Sequence, residues 1–93
     1  MNVLTLSKQA QRFIKKLPQK QACQLVTAID SLQQNPHQHD VRPLQGYKPY
    51  LRKDCGEYRI IYRYEIDKQL VTVVLVGKRN DDAIYRIAKR TLK

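Results

Sequence analysis

The stretch EYRIIYRYEI, residues 57–66, decides the fold because its side chains alternate with the period of a β-strand. One face would carry Tyr58, Ile60, Tyr62, Tyr64 and Ile66, and the other Glu57, Arg59, Ile61, Arg63 and Glu65. A second apolar segment, LVTVVLV at residues 70–76, follows after Asp67-Lys68, which we interpret as a two-residue hairpin loop. Because this second strand is apolar on both faces, we expect it to be central, and we expect Gly77 to end it.

The two-residue loop predicts the register of the hairpin. It places Tyr64 opposite Val71 and Tyr58 opposite Gly77, so the uncharged tyrosine face should pack on helices. An arginine among valines on the other face is costly unless it is paired or reaches solvent, and for Arg63 an ion pair with Glu57 or Glu65 is one interpretation. Strict alternation would put Arg79 on the helix-packed face, so the chain must twist or bulge at Gly77 if Arg79 is to join Arg59.

The segment before this hairpin predicts a strand and two helices. Residues 2–6 are typical of a short strand, and Ser7 is a suitable N-cap. Apolar residues then recur with the period of a helix, at Ala10, Phe13, Ile14 and Leu17. Pro18 favours the first turn of a new helix, which we expect over about residues 19–34. Its apolar stripe is Ala22, Leu25, Val26, Ile29 and Leu32, with Cys23 in the same core.

The rest of the chain predicts a loop, one further strand and a last helix. Residues 35–46 are interpreted as a loop, Tyr47–Lys53 as an edge or bulged strand because it contains Pro49, and 54–56 as a turn. Caps for a last helix are available at Asn80, Asp81 and Asp82, and its short apolar stripe is Ala83, Ile84, Ile87 and Ala88. The order β-α-α-β-β-β-α indicates an α+β domain: an antiparallel β-sheet, an N-terminal α-helical hairpin packed on one face and a short C-terminal helix.

The charge indicates a polyanionic partner. Eighteen Lys and Arg against eight Asp and Glu give a net charge of +10 in 93 residues. This exceeds the magnitude of about 2–8 that solubility alone requires of a small domain. Nucleic acid, the ribosome and an anionic membrane are candidates by charge alone. No apolar run approaches the roughly 20 residues of a membrane helix, so we expect a cytoplasmic protein with no membrane partner.

The cysteines and histidines do not predict a metal site. Cys23 and Cys55 form no CxxC or CxxH pattern, so we expect no metal and no cofactor. His37 and His39 form an H-x-H pair that is able to bind a metal or to transfer protons, but a solvated loop is the other interpretation, and no third ligand accompanies them.

The ordered set of motifs resembles the RelE/ParE superfamily of bacterial type II toxins over nearly the whole chain. The set comprises Phe13-Ile14-Lys15-Lys16-Leu17-Pro18, Leu44-Gln45-Gly46, Tyr47-Lys48, Glu57-Tyr58-Arg59-Ile60-Ile61-Tyr62, Val76-Gly77-Lys78-Arg79 and Tyr85. The resemblance implies a single RelE-like toxin domain over residues 1–93. It also implies a cognate RelB-like antitoxin, and operator DNA binding only through the toxin–antitoxin complex.

The two branches of that superfamily imply different activities. The RelE-like branch implies an endoribonuclease that cleaves mRNA in the ribosomal A site, and the ParE branch implies a non-enzymatic poison of DNA gyrase. The sequence retains the residues of the RelE-like set, which are Lys48, Arg59, Arg79 and Tyr85. It departs at Tyr50, where the RelE pattern has a second lysine; Lys53 or Arg52 is able to substitute.

The resemblance suggests a catalytic hypothesis with chemically suitable residues. Attack of a ribose 2′-OH on the adjacent phosphate builds negative charge, which the guanidinium groups of Arg59 and Arg79 would stabilise. Tyr85 is the candidate general base, since a positive environment favours the phenolate. Lys48 is assigned as charge stabiliser or proton relay.

The remaining basic side chains of this surface are expected to bind RNA. They are Arg52, Lys53, Arg63 and Lys78. A mRNA endonuclease toxin acting on the ribosome is the first interpretation. A gyrase poison, and a basic nucleic-acid-binding relative without catalysis, are the alternatives.

Overall fold

A five-stranded β-sheet separates two helical layers in this protein. The computed structural model describes residues 2–80 and 82–92. In chain order its elements are β1 (Val3–Leu6), α1 (Lys8–Lys15), α2 (Gln19–Gln34), β2 (Arg42–Pro43), β3 (Leu51–Cys55), β4 (Tyr58–Glu65), β5 (Leu70–Lys78) and α3 (Ala83–Thr91). The strand order is β1-β5-β4-β3-β2. In the described part of the chain, no helix has the length and apolar character needed to cross a membrane.

The α+β class, the helical hairpin on one face and the C-terminal helix are confirmed. The sheet, however, is mixed rather than fully antiparallel, because β1 pairs parallel with β5 from Val3↔Leu70 to Leu6↔Val73. The hairpin of α1 and α2 carries the chain back over one face of the sheet, which allows the first strand to run alongside the central strand. β5 is central as predicted, between β1 and β4.

The N-terminal half forms where the sequence predicted it. Ser7 caps α1, and its side chain accepts a hydrogen bond from the backbone N–H of Ala10 at 3.1 Å. Helix α2 has the predicted bounds, but only Leu25, Ile29 and Leu32 of its predicted stripe are buried. The prediction was wrong for Cys23 and Val26, which are exposed, since the sheet covers a narrower side of the helix than the apolar stripe spans.

The predictions for the middle of the chain need three corrections. Strand β3 begins at Leu51 rather than Tyr47, because a compact turn occupies residues 47–50, in which Tyr50 N–H donates to the Tyr47 carbonyl at 2.8 Å. The predicted turn at 54–56 is shifted, since β3 continues to Cys55 and the turn lies at 56–57. The two residues of β2 pair with β3 and were not predicted.

The loop between β4 and β5 is longer than the predicted two residues. A single 3-10 turn spans Ile66–Lys68, and Gln69 closes it in the left-handed conformation at φ 48°. Glu65 and Leu70 are nevertheless paired, as the predicted register requires.

A β-bulge lies in the middle of the hairpin rather than at Gly77. The predicted register holds from Glu65↔Leu70 to Tyr62↔Val73, but the next pair is Ile61↔Leu75, which leaves Val74 as an extra residue. A bulge of this kind moves every later side chain of the strand to the opposite face. Leu75 therefore packs with Ile61 on the second face of the sheet, whereas Val73 remains on the face of the helical hairpin.

Side chains from the start of α1 complete the hydrogen bonding of β5 at this bulge. Ser7 Oγ donates to the Val74 carbonyl at 2.7 Å. The Gln9 amide donates to the Val76 carbonyl at 2.8 Å and accepts from the Val76 N–H at 2.9 Å. The Gln9 side chain thus replaces a neighbouring strand where β1 has ended, and the backbone around the bulge keeps its hydrogen-bond partners.

The sequence predicted that Gly77 ends β5. The prediction was wrong, because β5 continues to Lys78 and Gly77 lies within the strand, against α3. A Cβ built on Gly77 would lie 3.1 Å from both Cβ and Cδ1 of Ile84. The helix approaches the strand this closely while Ile84, Ala88 and Leu92 bury the second face of the sheet with Leu44, Ile61 and Leu75. Gly77 is therefore required by the close contact of α3 with the strand.

We expect Gly77→Ala to destabilise the protein by about 1–3 kcal/mol, because the added methyl overpacks the contact with Ile84. The measurement is the free energy of unfolding in urea. In an Ile84→Ala background, which removes Cδ1 and Cγ1, the same substitution should be less destabilising. Equal destabilisation in both backgrounds would show that the contact with Ile84 is not the cause.

Candidate active site

Arg59 and Asp54 form the centre of a charged cluster on the second face of the sheet. They lie directly opposite each other on β4 and β3. Arg59 Nε donates to Asp54 Oδ1 at 2.7 Å, and Arg59 Nη2 donates to Oδ2 at 3.4 Å. The Arg59 side chain is 12% exposed, so this partner compensates for the removal of most of the side chain from water.

Two further arginines surround the same carboxylate. Asp54 Oδ2 lies 3.7 Å from Arg52 Nη1 and 4.0 Å from Arg79 Nη1. The hydrogen bond from Arg59, with the nearby charges of Arg52 and Arg79, lowers the pKa of Asp54 below its usual value of 3.8. The hydrogen bond with Asp54 in turn raises the pKa of Arg59. The cluster keeps a net positive charge, since three guanidinium groups share one carboxylate.

Helix α3 brings Tyr85 to this cluster. Arg59 Nη1 donates a hydrogen bond to the Tyr85 hydroxyl, and the guanidinium carbon lies 5.8 Å from the centre of the tyrosine ring. The helix is held there by the burial of Ile84 and Ala88 on the sheet. The predicted convergence of Arg59, Arg79 and Tyr85 is therefore confirmed as geometry, and the bulge at Val74 is what turns Arg79 to this side.

An open cleft adjoins the cluster. It has a volume of about 370 Å³, which is within the range of small-ligand sites. Its lining consists of Pro43, Leu44, Gln45, Arg52, Arg59 and Tyr85. A cleft with guanidinium groups on one side and a phenol beside them is suited to bind a phosphate group and to exchange a proton with a neighbouring hydroxyl.

The structure places the predicted lysines Lys48, Lys53 and Lys78 outside the contacts of this cluster. Lys48 is exposed in the turn before β3, not in a strand, and does not line the cleft. Lys53 points to the opposite face, where its Nζ lies 2.7 Å from Asp40 Oδ2. Lys78 ends β5 opposite Tyr58 and is exposed. Of the two candidates to replace the missing lysine, Arg52 lies at the cleft.

Arg63 lies on the same face as Arg59, further along β4. Its Nη2 is 3.1 Å from Glu65 Oε1, which is one of the two ion pairs that the sequence suggested. Its guanidinium carbon is 5.9 Å from the centre of the Tyr50 ring. Tyr50 thus contacts a cation from the position where the RelE pattern has a lysine.

Sequence reasoning missed Asp54 as a member of the site. The residue was assigned to a turn, because β3 was placed too early in the chain. The signal that could have found it is the hairpin of β3 and β4: a turn at 56–57 places Asp54 opposite Arg59. Pro43, Leu44 and Gln45 were missed as well, since nothing in the sequence of residues 35–46 predicts that this loop forms a wall of the cleft.

The histidines and cysteines are not brought together into a metal or proton-transfer site in the described part of the chain. The His37 ring contacts the Tyr64 ring in an edge-to-face arrangement at 5.3 Å. Within residues 2–80 and 82–92, no group of three or more His, Cys, Asp or Glu side chains is arranged to hold a metal ion. Burial raises the pKa of the Cys55 thiol.

Asp82 is the N-cap residue of α3, but its side chain makes no capping hydrogen bond. Asp81, the neighbouring predicted cap, lies outside the described residues.

A sequence profile for the ParE toxin of the type II toxin–antitoxin system parDE matches residues 4–83. The chain belongs to this toxin family. The match includes both strands of the predicted hairpin and the arginine cluster, and it confirms the resemblance to the RelE/ParE superfamily of type II toxins. No curated protein sequence matches the chain significantly.

Solved structures of RelE toxins share the fold of this family member. The isolated E. coli RelE toxin matches with a TM-score of 0.73 and 22% identity, over 99% of this chain and 100% of that chain. RelE in the intact E. coli RelBE toxin–antitoxin complex matches with a TM-score of 0.74 and 22% identity, over 87% and 100%. The archaeal RelE–RelB complex from Pyrococcus horikoshii OT3 matches with 0.72 and 21%, over 85% and 96%. At these identities the likeness concerns the fold.

The stability of this toxin should fall in acid through Asp54. Because the folded-state pKa of Asp54 lies below 3.8, its ion pairs contribute fully above that pH and are lost as the pH falls through the folded-state pKa. We expect Asp54→Asn to flatten the decline of the free energy of unfolding below about pH 4.

The control is Asp30→Asn, which removes an exposed carboxylate on α2, away from the arginine cluster. Urea unfolding of both variants and the wild type at stepwise lower pH is the measurement. A decline that is as steep in Asp54→Asn as in the wild type would contradict the assignment.

Proposed function

We propose that this toxin is an endoribonuclease of the RelE-like branch that cleaves mRNA in the ribosomal A site. The observation that carries the proposal is the contact of Arg59 with the Tyr85 hydroxyl beside a cleft that Arg52 also lines. A phenol that receives a hydrogen bond from a guanidinium has its oxygen prepared to carry negative charge. A surface that served only to bind another protein would not require this pairing of a base with cations.

The proposed reaction is attack of a ribose 2′-OH on the adjacent phosphate. Tyr85, as the phenolate, takes the proton of the 2′-OH, and the 2′ oxygen forms a bond to phosphorus. Arg59 and Arg79 stabilise the charge that develops on the non-bridging oxygens, and Arg52 supplies the cation that the missing lysine would have provided. The bond to the 5′ oxygen breaks, and that oxygen takes a proton from water; Lys48, which lies outside the cleft lining, would relay a proton to that water. The products are a 2′,3′-cyclic phosphate and a 5′-hydroxyl.

The ribosome supplies what the free protein lacks in this proposal. The cleft is open, and its cationic groups are able to hold a phosphate without fixing the angle of attack. Orientation of the mRNA in the A site would provide that geometry. The net charge of +10 supports binding to ribosomal RNA, to which exposed Lys78 and the partly exposed Arg63 would contribute.

A cognate antitoxin of the RelB type is the proposed protein partner. The E. coli and Pyrococcus horikoshii relatives were solved as complexes of RelE with RelB, and both share this fold. Operator DNA would be bound through the toxin–antitoxin complex, as the resemblance to the RelE/ParE superfamily implies.

A gyrase poison is the second candidate, because the matching family profile is that of a ParE toxin. This candidate does not need the contact between Arg59 and Tyr85. It predicts inhibition of DNA supercoiling by gyrase and no cleavage of mRNA.

We expect Arg79→Ala to lower the rate of mRNA cleavage by about 100- to 1,000-fold, because it removes a cation from the transition state. Tyr85→Phe should lower it by about 100- to 10,000-fold, because it removes the base and keeps the ring. The measurement is primer extension on a defined mRNA in programmed ribosomes, with the same mRNA without ribosomes alongside.

The matched control is Arg12→Ala, which removes the same charge from an exposed position on α1, across the sheet. It should cleave like the wild type. Wild-type activity in Tyr85→Phe would refute the base assignment. Absence of cleavage by the wild type, with inhibition of gyrase supercoiling, would replace the proposal by the second candidate.

A further inference from the structure

The two oxygens of Asp54 are held very differently. Oδ1 accepts a close hydrogen bond from Arg59 Nε at 2.7 Å. Around Oδ2, guanidinium nitrogens of Arg59, Arg52 and Arg79 lie at 3.4, 3.7 and 4.0 Å. One oxygen is therefore anchored, and the other occupies a point on which three cations converge without a close bond to any of them.

This group of arginines is suited to bind a further oxyanion beside Asp54, one with more oxygens than a carboxylate. Guanidinium groups bind phosphate oxygens through paired N–H donors, and three of them offer more donors than one carboxylate oxygen accepts. The side chains of Arg52 and Arg79 are 32% and 44% exposed, so they are able to adjust towards an incoming anion. The side chain of Arg59 is only 12% exposed, so it is not able to adjust in this way.

We propose that Asp54 is a positioning residue and an internal counter-ion of the site. Its Oδ1 holds Arg59 towards Tyr85, and its Oδ2 keeps Arg52 and Arg79 beside the place where a non-bridging oxygen of an RNA phosphate binds. On binding, Arg52 and Arg79 exchange Oδ2 for the phosphate, while Arg59 keeps its bond to Oδ1. The identity of the anion as RNA rests on the proposed function, whereas the anion position rests on the arginines alone.

The two roles of Asp54 predict opposite effects of its removal on the affinity for RNA and on the rate of cleavage. The carboxylate repels a phosphate that approaches the arginines, so its removal should tighten RNA binding. It also fixes the guanidinium that contacts Tyr85, so its removal should slow cleavage. A side chain that mattered only for folding would instead weaken binding and cleavage together.

The test is binding of a short fluorescent single-stranded RNA, followed by anisotropy at several salt concentrations and without ribosomes. We expect Asp54→Asn to bind about three- to tenfold more tightly than the wild type at low salt, with a salt dependence steeper by about 0.7, the value for one additional phosphate contact. Asp54→Glu, which keeps the charge, should bind like the wild type.

Asp40→Asn is the matched control, because it makes the same change of charge next to Lys53 on the other face. It should leave the affinity close to that of the wild type. Equal tightening by Asp40→Asn and Asp54→Asn would show an effect of net charge alone and would overturn the proposal. Unchanged or weaker binding by folded Asp54→Asn would overturn it as well.

A second pair of variants decides the question if Asp54→Asn does not fold. Arg52→Ala and Arg79→Ala should each weaken RNA binding more than Arg12→Ala, and equal weakening by all three would overturn the proposal. On programmed ribosomes, Asp54→Asn should lower KM and kcat together. If the wild type does not cleave, the proposed function fails, and the binding comparison still decides whether Asp54 lies beside an anion site.

Discussion

The β-bulge at Val74 is the constraint on which the site depends. Without it, strict alternation along β5 would turn Leu75, Gly77 and Arg79 towards the helical hairpin, and Arg79 could not approach Asp54. Since β1 ends at Leu6 opposite Val73, the backbone groups of β5 beyond that point lack a neighbouring strand, and Ser7 and Gln9 satisfy them from the start of α1. A polar helix start on one side of the sheet thus supports the geometry of a charged cluster on the other.

One face of the sheet carries the larger apolar core, and the other carries a smaller core and the charged cluster. The face under α1 and α2 holds the larger apolar core, including Tyr62, whose buried hydroxyl donates to the Pro36 carbonyl at 2.5 Å. Burial raises the pKa of Tyr62, so this tyrosine stays protonated. The second face is covered by α3 in a smaller core around Leu44, Ile61 and Leu75, and beyond this core the arginines begin. The close contact of Ile84 with Gly77 sets the height at which α3 presents Tyr85.

The carboxylate of Asp54 compensates for the mutual repulsion of the three arginines in the site. Three arginines close together would repel one another, and a side chain as buried as Arg59 is costly without a counter-charge. Asp54 supplies that charge from the neighbouring strand, at the position directly opposite Arg59. The arrangement keeps the guanidinium of Arg59 fixed and leaves the exposed groups of Arg52 and Arg79 adjustable.

The sequence by itself determined the elements whose periodicity is local and strong: α1, α2, the apolar β5, the pairing of β4 with β5 near their loop, and α3. It also determined that Arg59, Arg79 and Tyr85 belong together, because the spacing of the motifs resembles a toxin family. Only the tertiary structure decided the bulge at Val74, the parallel pairing of β1, the start of β3 at Leu51 and the place of Asp54. These features depend on hydrogen bonds and contacts between residues far apart in the chain, such as Gln9 with Val76, and no pattern within a single segment encodes them.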